Sequence, residues 1–347
     1  MPTSLGSWCT ALFPPTNTST ERQLAQGLLS GTAKLGNGGT YQLSEHPNWA
    51  PQSTADTSGN RNVNSLSWML PLLYRGVHQQ VPSMVNRFRQ LIYYWIADHQ
   101  GKRAAWVDGS IYGGLRTETL LCAAQTFNDP YIQGALMRDA AAMLGSRNAQ
   151  GNPIIGANNT DLIRATGALG AYCLVGDTAH RDQAWGNVLG VVRGIIQNDG
   201  SDVEGSPAYA VYDDVLLTGA EKAAATCGIS ADPVPALHGE LFDFVANATR
   251  PDFKLESIGD TVVEPLANSF AGNDPRAQWV RSGGKAGAPP AGIYSYYQGG
   301  YVFARAGWNP QPGGPDTFYS VRYSSTRPAT AHTHDDGGAM TVYSRGV

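Results

Sequence analysis

The stretch QNDGSDVEGSPAYAVYDD, Gln197 to Asp214, sets five acids and two tyrosines among small residues. A helix is expected to stop at Asn198-Asp199-Gly200, where turn residues take over, and another to start at Ser206-Pro207, a hydroxyl cap followed by proline. Tyr209 and Tyr212 then lie near a helix amino terminus. Its unpaired N–H groups favour an anion and ease loss of a phenolic proton. The alternative is that one tyrosine packs in the core and the acids face water. A second stretch, Ala331 to Gly338 (AHTHDDGG), sets His332 and His334 on one side of an extended backbone beside Asp335 and Asp336. That pattern suits either a divalent metal or a polar surface turn. Asn159, in GANNTD, reads by itself as a turn or helix-cap residue before Asp161.

These residues must be positioned by a chain in which helical periodicity dominates up to Asn247. Apolar residues at helical spacing predict helices over 20–34, 62–78 with a kink at Pro71, 82–99, 110–127, 130–146, 161–175, 180–197, 207–227 and 233–247. Short turns between most of them imply antiparallel neighbours and a two-layered helical ring. After Asn247 the character changes. Glu256 to Thr261 (ESIGDT) is a loop, a short helix is expected over 274–282, and 283–292 is rich in Gly, Pro and Ala. Strands are expected at 300–305, 317–323 and 339–343, where β-branched and aromatic residues alternate. Three strands bury little by themselves, so the sheet reads as the start of a larger, incomplete layer.

Composition narrows the function classes. Charged residues make up 15% of the 347 and the net charge is -4, with no run of lysine or arginine. The electrostatic footprint of a nucleic-acid binder is missing. No stretch approaches the roughly 20 apolar residues of a membrane span, and the first twenty residues lack a signal peptide's basic start and apolar centre. Cys9, Cys122, Cys173 and Cys227 lie far apart, three of them on helical patterns, and are expected to be buried free thiols.

YQGGYVFARAGW, ESIGDT, HTHDDGGAM and DGSDVEGSPAYAVY together resemble the heparinase II/III-like polysaccharide lyases, a group that includes alginate and oligoalginate lyases. The resemblance runs from about Asn60 to the last residue. It implies an incomplete α/α toroid over 1–285 followed by an antiparallel β-sandwich over 286–347 that appears truncated. It also implies β-elimination at a uronic acid, with an acidic polysaccharide as partner, no nucleic acid or membrane, and a secreted or periplasmic location. By resemblance Asn159 binds the substrate carboxylate, Tyr209 is the acid/base tyrosine, and His332 is the histidine base or its partner. No cofactor is required. His334 resembles a second histidine that in some members binds a structural metal, which makes it the candidate ligand for a structural zinc or calcium. Thr160 stands where several members carry histidine, a place that His46, His78, Arg61 or Arg116 would have to fill. Arg116, Arg61, Glu204, His46 and Trp49 are the substrate-binding candidates, and Arg116 also reads as a salt-bridged arginine. Two other classes stand beside this one. One is an inverting glycoside hydrolase pairing Asp199, Asp202 or Glu204 with Asp108. The other is a carbohydrate-binding protein without turnover.

Overall fold

The computed structural model describes residues 2, 4–12, 18–35, 40–49, 62–99, 111–145, 156, 158–263, 270, 274–308, 317–323, 332, 334 and 336–344. The helices are α1 (Ser7–Leu12), α2 (Ser19–Leu29), α3 (Leu70–His78), α4 (Pro82–His99), α5 (Ile111–Phe127), α6 (Pro130–Leu144), α7 (Asn159–Val175), α8 (Thr178–Ile195), α9 (Pro207–Cys227), α10 (Val234–Asn247) and α11 (Pro275–Arg281). Local chemistry starts several of them. The side chains of Thr18, Asp129 and Asp274 accept the N–H groups of Glu21, Tyr131 and Arg276, and proline opens α6 and α11. The single helix expected over 62–78 is instead broken. A 3-10 turn at Ser67–Met69 precedes α3, and Leu66 before it sits at φ 62. Pro71 therefore falls in the first turn of α3, where it costs no hydrogen bond.

Packing divides the chain into two compact units. One comprises Met1–Ile155, Thr160–Val188 and Lys222–Ile229, the other Gly156–Asn159, Leu189–Glu221 and Ser230–Val347. In the first unit Leu28, Phe88, Ile92, Trp95, Leu120 and Leu136 are among the core residues. The run from Arg116 to Ala124 in α5 is buried without interruption, as befits a helix covered on all sides. A hairpin of β1 (Thr32–Lys34) and β2 (Thr40–Gln42) pairs Ala33 with Tyr41. It is absent from the sequence expectations because three-residue strands are too short for alternation to register. The free thiols expected from sequence are corrected by two disulfides, Cys9–Cys122 and Cys173–Cys227, with Cα atoms 4.7 and 5.6 Å apart. The partners are 113 and 54 residues apart, and only helix packing, α1 on α5 for the first, brings them together.

In the second unit β3 (Tyr294–Tyr297), β4 (Tyr301–Arg305), β5 (Phe318–Arg322) and β6 (Ala339–Tyr343) form one antiparallel sheet in that order. The sheet thus has four strands where three were expected; β3 falls between the Gly/Pro-rich stretch and the first expected strand, at 294–297, which the sequence reading leaves unassigned. Alternation gives the sheet its buried face. Tyr297, Tyr301 and Phe303 pack around Phe244 of α10, and Phe318 stacks on Phe303, while Tyr294, Tyr296, Met340 and Val342 remain exposed. Among the described residues no helix is long and apolar enough to cross a membrane.

A buried charge cluster ties α9 to α10. His238 bonds Asp214 through Nε2 at 2.6 Å and Glu221 through Nδ1 at 3.0 Å. Burial disfavours the imidazolium, but the bonds to Asp214 and then Glu221 outweigh it and push His238 up to about 9. Because the folded value exceeds the ordinary 6.5, the stabilisation is complete below about pH 6.5 and is lost as pH rises through about 9. Removing the imidazole leaves a buried carboxylate unpaired. His238→Ala is therefore expected to lose about 3–5 kcal/mol near pH 6, with the gap to wild type narrowing toward pH 9. Urea unfolding of both proteins across that range checks it, and a pH-independent gap would contradict it.

Candidate active site

Asn159 is the first residue of α7 and is 8% exposed. Its backbone N–H donates to Glu204 Oε1 at 2.8 Å and its side-chain Nδ2 donates to Glu204 Oε2 at 3.0 Å. The amide expected to receive a substrate carboxylate thus already holds a carboxylate of its own chain. Glu204 lies in the loop between α8 and α9. An isolated bridge between Ile196 and Asp202 pinches that loop, and Asp202 accepts the Glu204 N–H at 2.8 Å.

Tyr209 sits in the first turn of α9. The cap of that helix is not the Ser206 hydroxyl expected from sequence. The N–H of Ala208 donates to Thr261 Oγ1 at 3.0 Å, and the Ser206 hydroxyl pairs with the same oxygen at 2.7 Å. The ESIGDT loop is thereby fastened to the start of α9, which sets Asp260 beside the tyrosine. The Tyr209 and His332 rings stack with centroids 3.6 Å apart and planes 20° from parallel. His332 Nδ1 meets Asp260 Oδ2 at 2.9 Å, and its Nε2 lies 3.9 Å from Glu204 Oε2. A carboxylate only accepts, so Nδ1 carries the proton in that bond and Nε2 is left as the basic nitrogen. His334 Nε2 bonds the other oxygen of Asp260 at 2.7 Å. The backbone locks this arrangement: Asp260 N–H donates to His332 O at 3.2 Å, and Gly259 N–H to Asp336 Oδ2 at 2.7 Å.

The electrostatics run against one expectation. The helix terminus was expected to ease loss of the Tyr209 proton, yet burial, and after it the charges of Asp260 and Glu204, raise the phenol above its ordinary value. Burial, with the two carboxylates after it, keeps the phenol protonated, so the side chain is equipped to give a proton. The bond from His332, then that from His334, holds Asp260 below the usual carboxylate range. Burial raises Glu204 against the opposing pull of Asn159 and His332.

Behind Glu204 lie more buried acids. Among the described residues Asp213 finds no hydrogen-bond partner on either carboxylate oxygen, and Asp202 finds none on Oδ2. Burial, then the neighbouring Asp202 and Glu204, raises Asp213 well above the ordinary range, and burial likewise raises Asp202. A raised acid is a liability above its unfolded value of about 4, since the folded state must hold a proton the unfolded chain releases. Asp213→Asn is accordingly expected to raise Tm at pH 7.5, with the gain shrinking toward pH 4. Thermal unfolding at the two pH values checks this, and a variant less stable at pH 7.5 would refute it.

The other residues singled out from sequence lie elsewhere. Arg116 is 1% exposed and donates through Nε and Nη2 to Asp139 at 3.0 and 2.6 Å, with its guanidinium 5.2 Å from the Trp95 ring centre. It is the salt-bridged arginine of the alternative reading and offers no exposed surface to a sugar. Trp49 is also buried, while His46 is exposed, stacked on Tyr94 and bonded to Asp98 at 2.8 Å. All three belong to the first unit. Arg61 and Asp108 lie outside the described residues. His334, the candidate metal ligand, is committed to Asp260. Among the described residues no group of three His, Cys, Asp or Glu side chains is arranged to hold an ion. Asp260, Gly259 and Thr261 were not singled out, although the ESIGDT loop that carries them was. An acid-glycine-threonine loop has no spacing of its own that reveals a distant histidine.

No protein-family model matches the chain, and no curated protein does. Solved structures do. A heparinase III gene product with methylated lysines is 17% identical, with a TM-score of 0.69 over 96% of this chain and 57% of its own. Heparan sulfate lyase HepC from Pedobacter heparinus is 15% identical, with a TM-score of 0.69 over 96% and 55%. Another heparinase III is 14% identical, with a TM-score of 0.73 over 97% and 58%. The chain thus spans little more than half the length of each. At such identity the likeness speaks to backbone alone, and on that ground the chain has the fold of the heparinase-type polysaccharide lyases over the part it spans, mostly helical with a small antiparallel sheet, where those structures as a whole are an α/α toroid plus a β-sandwich.

Proposed function

We propose that this protein is a polysaccharide lyase that cleaves a uronic-acid-containing polysaccharide by β-elimination, with 1–285 serving as the toroid domain and 286–347 as the sheet domain. The observation that carries the reading is the stack of Tyr209 on His332, with Asp260 behind the imidazole and the Asn159–Glu204 pair beside it. Elimination needs relief of charge on the carboxylate next to C5, a base for the C5 proton and an acid for the departing oxygen. The Asn159 amide donates to the carboxylate as it gains enediolate character. His332 Nε2 removes the C5 proton, and Asp260 stabilises the resulting imidazolium. The electron pair forms the C4=C5 double bond as the C4–O bond breaks, and the Tyr209 phenol protonates the leaving oxygen. Each role is filled by a side chain, so the reading asks for no cofactor.

The two disulfides support a secreted or periplasmic location, since such bonds persist in oxidising compartments. The hydrolase alternative has less support. Asp202 is fully buried, Glu204 is committed to Asn159, and Asp199 holds Ser201 and the N–H of Gln298. A panel of heparan sulfate, alginate and hyaluronan, read by ultraviolet absorbance, tests the proposal. Lyase action yields an unsaturated, absorbing uronate. New reducing ends without absorbance would indicate hydrolysis, and binding without product a carbohydrate-binding protein.

A further inference from the structure

We infer that Glu204 is the positioning residue of this site: its carboxylate dictates which edge of the Asn159 amide is turned to the substrate. The inference rests on the lyase reading above. A carboxamide has a donating edge and an accepting edge of nearly the same shape, and packing alone scarcely tells them apart. A carboxylate does, because it only accepts. Glu204 Oε1 takes the Asn159 backbone N–H at 2.8 Å, which fixes the carboxylate's plane, and Oε2 takes Nδ2 at 3.0 Å, which requires the N–H2 edge. Turned over, the amide would set Oδ1 against an acceptor and aim lone pairs at a substrate carboxylate.

The support for this role is itself immobile. Glu204 is 1% exposed, and its backbone N–H is held by Asp202 at 2.8 Å. The same Oε2 faces His332 Nε2 at 3.9 Å, so the residue that sets the amide also lies alongside the proposed base. Glu204 was first a candidate for direct substrate contact; its burial and its two bonds to Asn159 assign it the indirect role instead.

The test uses two variants of the full chain and the uronan that the panel identifies. Glu204→Gln offers Asn159 a donor where it had an acceptor, so the amide is expected to turn. kcat/KM should fall at least about 100-fold, the usual loss when one preorganised donor is removed, and Tm should drop. The double variant Asn159→Asp with Glu204→Gln exchanges donor and acceptor. Pairing and Tm should return, but a carboxylate now faces the substrate and activity should stay lost. A purely structural Glu204 predicts that Glu204→Gln lowers Tm while kcat/KM of the folded protein, measured well below that Tm, stays at the wild-type value. That result, or a double variant that regains Tm and activity together, overturns the inference. If Glu204→Gln keeps wild-type kcat/KM while Tyr209→Phe abolishes turnover in the same assay, the lyase reading stands and this role falls. If wild type releases no unsaturated product, the lyase reading fails and takes this role with it.

Discussion

Tyr209→Phe is expected to lower kcat on a uronan by roughly 10²–10⁴-fold, the range for loss of a positioned general acid. KM should change little. The ring that stacks on His332 at 3.6 Å is retained and only the phenolic oxygen is lost, so the imidazole and its bond to Asp260 have no reason to move. The direction of the phenol's shift adds a second reading of the same experiment. Burial and the nearby Asp260 and Glu204 raise it, so the acid stays protonated through neutrality, and the alkaline fall in wild-type kcat should lie above about pH 10. Steady-state kinetics on wild type and variant check both points. Full activity without the hydroxyl removes Tyr209 from the mechanism.

Gly259→Ala is expected to damage rate and stability together. Gly259 has φ +56, and a Cβ there would lie 2.5 Å from Gly205 O and 2.5 Å from His332 O. Both are backbone atoms, so no side chain can swing aside. The left-handed backbone costs roughly 1–3 kcal/mol for a residue with a side chain, and the contact must be relieved by separating the loop from the Glu204 segment or from His332. A displacement of about 1 Å at a reacting group is enough for a loss on the order of 100-fold. Tm and kcat measured side by side decide it. An alanine variant with wild-type values for both would mean that the close approach of these three segments does not set the site.

Much of the helical part is legible in the chain because its signals are local. Proline and a capping side chain mark the starts of α6 and α11, and α9 and β6 fall where periodicity and alternation put them, at Pro207–Cys227 and Ala339–Tyr343. Asn159, Tyr209 and His332 were reached by likeness of motif, and the fold brings them within one compact unit. What surrounds them was not legible. The Asp260 bond to His332 spans 72 residues, the Thr261 cap on α9 spans 53, and the Glu204 bonds to Asn159 span 45. The residue types by themselves specify none of these pairings. The same holds for the two disulfides and for Arg116, whose salt-bridge partner Asp139 meets it only in the folded core. The direction of the Tyr209 shift was reversed for the same reason. Its helix terminus is written in the sequence, whereas the burial that raises the phenol, and the two carboxylates that add to it, arise only when separate loops fold together. Periodicity and capping act over a few residues and therefore survive in one dimension. Hydrogen-bond partnership, burial and electrostatic environment depend on which distant segments meet, and only the tertiary structure decides that.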